Sequence, residues 1–262
     1  MEILIPIIIL GGLGLGFGLV LAIASKKFCV EADPRIEKIF ARLPGANCGA
    51  CGFPGCMGFA EGLIQGSCSV EKCTVSNEEA KEEIAKILGV KIKEEVKKVA
   101  TLHCFGGNRA KDKYTYQGIK DCVAANLVLG GQKACVYGCL GFGDCLRVCP
   151  FDAIKMSEDG LPLIDKDKCK ACNKCVEICP KKILSLSPLS GNVFVACSSH
   201  DSGKDTKAVC SVGCIACKLC EKICPVDAIH VVDNLVIIDY NKCTSCGKCV
   251  EVCPMKTIKK RE

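Results

Sequence analysis

Residues 214–225 read CIACKLCEKICP, and residues 243–254 read CTSCGKCVEVCP. In each stretch four cysteines follow the spacing C-x2-C-x2-C-x3-C, and a proline closes the run. The cysteines are Cys214, Cys217, Cys220 and Cys224 before Pro225, then Cys243, Cys246, Cys249 and Cys253 before Pro254. Zinc takes four ligands, commonly as two separated pairs. Four thiols crowded into one short loop fit that geometry poorly and fit an iron–sulfur cubane well. Three thiolates wrap one cluster, and the fourth is carried onward on a helix to the other cluster of the pair. The expected ligand sets are Cys214, Cys217, Cys220 with Cys253, and Cys243, Cys246, Cys249 with Cys224. The proline ends the loop and removes a backbone donor.

The same plan occurs upstream. Cys169, Cys172, Cys175 and Cys179 before Pro180 are regular, whereas the run before them is Cys135-x3-Cys139-x5-Cys145-x3-Cys149-Pro150. Aligned on its twin, Phe142 stands where Cys217 stands. The expected replacement ligand is Cys135, about one turn upstream of Cys139, with Cys122 as the alternative. The proposed sets are therefore Cys135, Cys139, Cys145 with Cys179, and Cys169, Cys172, Cys175 with Cys149. The likeness extends outward, since ATLHCFGG at 100–107 matches VFVACSSH at 193–200, and each half holds ten cysteines. A tandem duplication accounts for both.

Nearer the N-terminus, GANCGACGFPGC begins a further set: Cys48, Cys51, Cys56 and Cys73. Glycines around these thiols let backbone N–H groups approach the sulfurs of an iron–sulfur centre, although this spacing excludes zinc less readily than the runs above do. Six cysteines remain: Cys29, Cys68, Cys104, Cys122, Cys197 and Cys210. Cys104 and Cys197 are positional twins, as are Cys135 and Cys210. The default reading of the six is buried structural thiols, which behave as small hydrophobes. The alternative is a sixth cluster drawn from Cys104, Cys122, Cys197 and Cys210. His103, His200 and His230 are assigned no role.

The whole chain has 26 cysteines in 262 residues and no tryptophan. Disulfide scaffolds are usually short secreted chains, so that reading is disfavoured. The formal charge of +6 does not point to nucleic acid, because five all-cysteine clusters at roughly −2 each would bring it near −4. Base-stacking aromatics are also scarce.

From Ile3 to Ser25 the chain is uncharged, long enough to cross a hydrocarbon core about 30 Å thick. Lys26 and Lys27 follow, which predicts that the remaining chain is cytoplasmic. Gly12/Gly16 and Gly14/Gly18 have the spacing of close helix packing in membranes. Ser76 and Glu79 predict a capping box, with a helix ending at Gly89.

These features together resemble the B subunit of the Rnf ion-translocating electron-transport complexes. The match runs through the glycine-rich anchor, Glu31 to Ile39 with its DPRIEKI, LPGANCGACGFPGC, Cys73 and the ferredoxin runs. The duplicated ferredoxin unit is similar to the family's long form. The resemblance implies an α+β fold: a transmembrane helix (1–25), a 4Cys [4Fe–4S] domain (26–75), a charged helical linker (76–99) and two ferredoxin-like modules (100–190 and 191–262). It implies five [4Fe–4S] clusters, a sixth depending on the spare cysteines. It also implies a cell-membrane relay that takes electrons from reduced ferredoxin and passes them to membrane and flavin subunits and NAD, with Na⁺ or H⁺ transport by the complex. The chain itself would hold no catalytic residue and no flavin. A polyferredoxin of a hydrogenase, or a zinc-stabilised tethered module, are the competing readings.

Overall fold

In the computed structural model the described residues are 4–27, 33–92 and 96–261; Cys29 and Glu31 lie outside them. Helix α1 (Leu4–Lys27) is apolar throughout and ends on Lys26 and Lys27. Its side chains from Ile7 to Lys27 are not buried against the rest of the protein. At 1.5 Å per residue it extends about 36 Å, enough to cross a bilayer core.

The second body is all-helical. Helix α2 (Pro34–Phe40) starts with Pro34 in the first turn and Asp33 accepting from the Arg35 amide. Helices α3 (Cys56–Ile64) and α4 (Glu78–Leu88) pack against it. Ile39, Phe59 and Ile84 are fully buried in their shared core, which also takes in Cys51, Cys56, Cys68 and Cys73. So the helix in the charged stretch is a packed wall of this body and not a solvated connector: Ile84 and Leu88 lie on one face because of the 3.6-residue period. Its cap differs from expectation. Asn77, not Ser76, is the N-cap and accepts from the Ala80 amide at 3.0 Å, while the Ser76 hydroxyl donates to Cys73 Sγ at 3.1 Å. Gly89 ends the helix in the left-handed conformation, as expected.

The rest is a duplicated α+β unit. The first copy runs β1 (Lys98–Leu102), α5 (Cys122–Leu127), α6 (Asp144–Arg147), β2 (Ile154–Met156), β3 (Pro162–Ile164), α7 (Lys174–Ile178), β4 (Leu184–Pro188). The second runs β5 (Val193–Val195), α8 (Gly203–Val209), α9 (Leu219–Ile223), β6 (Ile229–Val232), β7 (Leu235–Ile238), α10 (Lys248–Val252), β8 (Ile258–Lys260). In each copy the first and last strands pair antiparallel, and the middle two form a hairpin. Closing the chain ends onto one another this way places both cluster loops of a copy over one apolar core.

The copies are locked together near the C-terminus. Arg261 donates to Pro188 O at 2.9 Å, and to Thr101 Oγ1 and Ser187 Oγ at 2.7 Å each. Its guanidinium lies over the Phe194 ring, 5.8 Å from the centroid. His103 adds a second tie, with Nδ1 on Val195 O and Nε2 on Ser185 Oγ at 2.7 Å each. Burial holds this imidazole below its usual pKa.

Candidate metal centres

The local backbone explains how short loops gather thiols. In the three regular runs, the residues flanking the second cysteine sit at positive φ: Ala171 and Asn173, Ala216 and Lys218, Ser245 and Gly247. Left-handed residues on both sides curl the loop, so that three successive thiols face one point. The irregular run keeps the same path, with Gly141 and Gly143 both at φ 81°. Its loop therefore has the cluster-loop conformation, although Phe142 occupies the second-cysteine position.

Five solvent-open pockets are each lined by four cysteines. Cys224, Cys243, Cys246 and Cys249 line one; Cys214, Cys217, Cys220 and Cys253 line another. Cys149, Cys169, Cys172 and Cys175 line the third. In all three, the fourth cysteine comes from the partner run of the same copy.

The fourth cavity is lined by Cys122, Cys139, Cys145 and Cys179. Here Cys122, not Cys135, joins the irregular run. Cys135 lines the fifth cavity with Cys104, Cys197 and Cys210. That cavity lies between the copies: the first supplies Cys104 and Cys135, and the second supplies their positional twins Cys197 and Cys210. The expected grouping of Cys135 with Cys139, Cys145 and Cys179 is thus replaced. The physical reason is that α5 folds back to bring its first residue over the irregular loop. The duplication gave a visible signal for the fifth cavity, since both twin pairs are in the sequence.

The N-terminal set, Cys48, Cys51, Cys56 and Cys73, gathers in the helical body, where the Cys51 thiol lies near those of Cys48 and Cys73. Asn47, which no spacing singles out, positions Cys56: its Oδ1 accepts the Cys56 amide at 2.9 Å. Gly55, at φ 120°, has no room for a Cβ against that same oxygen.

Neighbouring sites are joined by short links. The Cys139 amide donates to Cys104 Sγ and the Cys214 amide to Cys197 Sγ, each at 3.4 Å. Cys175 of one site lies near Cys145 of the next, and Cys172 near Cys48; the two second-copy sites share one core cluster. Ala228 and Thr257 amides donate at 3.3 Å to Cys224 and Cys253 Sγ.

Burial, then crowding with other thiols, raises the Cys175 thiol to about 12. Burial likewise raises Cys145, Cys214, Cys220 and Cys249 to about 11 and Cys139 further. Such groups hold their protons until a cation compensates the thiolate charge. All described cysteines are free, so no disulfide competes for them. Sulfur-only donor sets in apolar cups fit iron–sulfur clusters. Among the described cysteines only Cys217 and Cys246 are exposed.

Comparison with known proteins agrees. Residues 43–75 match an Fe-S cluster family, 213–257 a 4Fe-4S dicluster domain, and 135–153 and 162–185 4Fe-4S binding domains. The chain is 48% identical to the B subunit of the Na⁺-translocating ferredoxin:NAD⁺ oxidoreductase complex of Acetobacterium woodii, over 92% of this chain and 73% of that one. It is 44% identical to the B subunit of the ion-translocating oxidoreductase complex of Methanosarcina acetivorans, over 97% of both. It is 41% identical to the B subunit of the proton-translocating ferredoxin:NAD⁺ oxidoreductase complex of Clostridium ljungdahlii, over 93% of this chain and 87% of that one. With thiol-lined cavities along two ferredoxin-like copies, an apolar N-terminal helix, and this identity over nearly its whole length, the chain belongs to the B-subunit family of the Rnf ion-translocating oxidoreductase complexes.

Proposed function

We propose that this chain is a membrane-anchored relay that holds six [4Fe–4S] clusters in one unbroken succession. The reading rests on the order of the thiol-lined sites. The Cys48 thiol of the N-terminal set lies within electrostatic range of Cys172 in the site of Cys149, Cys169, Cys172 and Cys175. That site adjoins the one of Cys122, Cys139, Cys145 and Cys179. The inter-copy site of Cys104, Cys135, Cys197 and Cys210 follows, joined on either side by an amide-to-sulfur hydrogen bond. The site of Cys214, Cys217, Cys220 and Cys253, and then that of Cys224, Cys243, Cys246 and Cys249, complete the row. When bound, each cluster supplies one-electron transfer at a potential set by sulfur hydrogen bonds, charge and burial.

The chain's own part is to fix the spacing and to keep each thiolate in an apolar cup. The exposed Cys217 and Cys246 put the far end of the row within reach of a soluble reduced ferredoxin. The N-terminal set follows α1 along the chain, and membrane and flavin subunits of the complex would receive electrons there for NAD⁺, coupled to Na⁺ or H⁺ movement. Lys26 and Lys27 favour the cytoplasmic side for the cluster-bearing body.

The test is iron and acid-labile sulfide per chain in anaerobic protein. Six clusters give roughly 24 irons, whereas five give roughly 20. Cys122→Ala and Cys135→Ala should each lose about four irons, from different centres in redox-titrated EPR. A colourless protein carrying zinc would overturn the reading.

A further inference from the structure

We propose that Asp144, held by Arg147 and aided by Asp121, is the positioning residue that carries the Cys122 thiol into the site where Phe142 replaces the loop's own second cysteine. The inference rests on Cys122 being a ligand there, as proposed above, and concerns what puts it in place.

The carboxylate of Asp144 is buried, at 5% exposure, and lines the same cavity as Cys122. It accepts the Cys122 amide at 2.9 Å on Oδ1 and 3.0 Å on Oδ2, and the Val123 amide at 3.2 Å. Asp121 caps the same turn, accepting from the Ala124 amide at 2.9 Å. Arg147 completes the bracket. It donates to Asp144 Oδ1, to Asp121 Oδ2 at 3.3 Å and, through Nη1, to the Phe142 carbonyl at 2.8 Å. The first turn of α5 is therefore tied to the cluster loop through one carboxylate and one guanidinium. The consequence appears at the sulfur: the Cys122 thiol faces the backbone amides of Asp144, Phe142 and Gly143. A thiol borrowed from 20 residues upstream thus lies over the position its own loop leaves empty.

A second observation is independent of these contacts. The residue just before the third cysteine is Asp144 in the irregular run, and Lys174, Leu219 and Lys248 in the regular ones. The single acidic residue falls in the single run that lacks its second cysteine. Leu219, the twin of Asp144, is 40% exposed, so nothing in the shared fold demands a buried carboxylate there. A side chain with two acceptor oxygens is what an incoming helix end, with its unpaired amides, calls for.

The experiment uses the full chain, purified anaerobically, with iron and sulfide content and the EPR spectrum of the reduced protein as readouts. Asp144→Leu, which installs the twin's residue, should lose about four irons and one EPR component. Asp144→Asn keeps one acceptor oxygen and should retain them. The deciding variant is Phe142→Cys combined with Asp144→Leu, which returns the loop's own cysteine and should restore the lost iron without Asp144. Full iron in Asp144→Leu alone overturns the proposal. So does failure of the double variant to recover it, since Asp144 would then be supporting the fold at large. Cys122→Ala separates the two readings: if it retains all its iron, the ligand assignment itself falls. If it loses four while Asp144→Leu does not, only the role of Asp144 falls.

Discussion

At the scale of single residues, the sulfurs of the N-terminal site are tuned by a side chain as well as by backbone. Ser76 donates its hydroxyl to Cys73 Sγ at 3.1 Å inside a buried setting. A hydrogen bond to a ligating sulfur favours the more reduced, more negative state and so raises the potential. Ser76→Ala should leave the iron content unchanged and lower the potential of one centre. A loss of about 1 kcal/mol corresponds to roughly 40 mV for one electron. Redox-titrated EPR checks it; an unshifted set of midpoints would reject the assignment. Ser76 was legible only as a helix cap, because serine before a charged helix has that commoner use. Asn77 takes the cap instead, and the hydroxyl is free to face Cys73.

At the scale of elements, helices are held against cluster loops by close backbone approach. Gly203, the first residue of α8, faces the carbonyl of Ile215 in the loop between Cys214 and Cys217. A Cβ there would collide with that oxygen. Alanine is ordinarily the better helix former, by about 1 kcal/mol in a helix interior. Here the sign should reverse: Gly203→Ala should destabilise by about 1–3 kcal/mol, the range for overpacked sites. Thermal unfolding of the anaerobic protein measures it, and a melting temperature equal to or above that of the parent would contradict the close approach. The elements themselves were largely readable. The repeated order of cysteine runs announced two equivalent copies, and the structure has two α+β units that correspond strand for strand. What the pattern hid was the fold-back of α5, whose six residues carry too little periodicity to show where they dock.

At the scale of the molecule, the inter-copy site is the junction on which the proposed relay depends. Cys104 and Cys197 each receive an amide from a cysteine of the adjoining site, one in each copy. Cys197→Ala should remove the middle centre while leaving roughly 20 irons in place. In the assembled complex it should slow ferredoxin-driven turnover by an order of magnitude or more, and undiminished turnover would mean that electrons bypass this junction. The anchor is separable from all this, since α1 is exposed along its span. Deleting residues 1–27 should give a protein that no longer sediments with membranes but keeps its full iron content. Loss of iron on that deletion would tie the anchor to the cluster-bearing body.

Cysteine spacing alone determined that thiols would gather in threes, because a loop of a few residues with left-handed corners can only present its cysteines to one nearby point. The sequence also carries the duplication and an uncharged stretch long enough to span a membrane. Only the tertiary structure decided which thiol shares the irregular run's cavity and that the leftover twins meet. Cys104 and Cys197 are 93 positions apart, and separation along the chain says nothing about whether two buried thiols share a cavity. That depends on how the copies dock through Arg261 and His103, and on a buried carboxylate, Asp144, that turns the start of α5 toward Phe142. The sequence therefore carries each site's short-range half, and packing between distant segments supplies the rest.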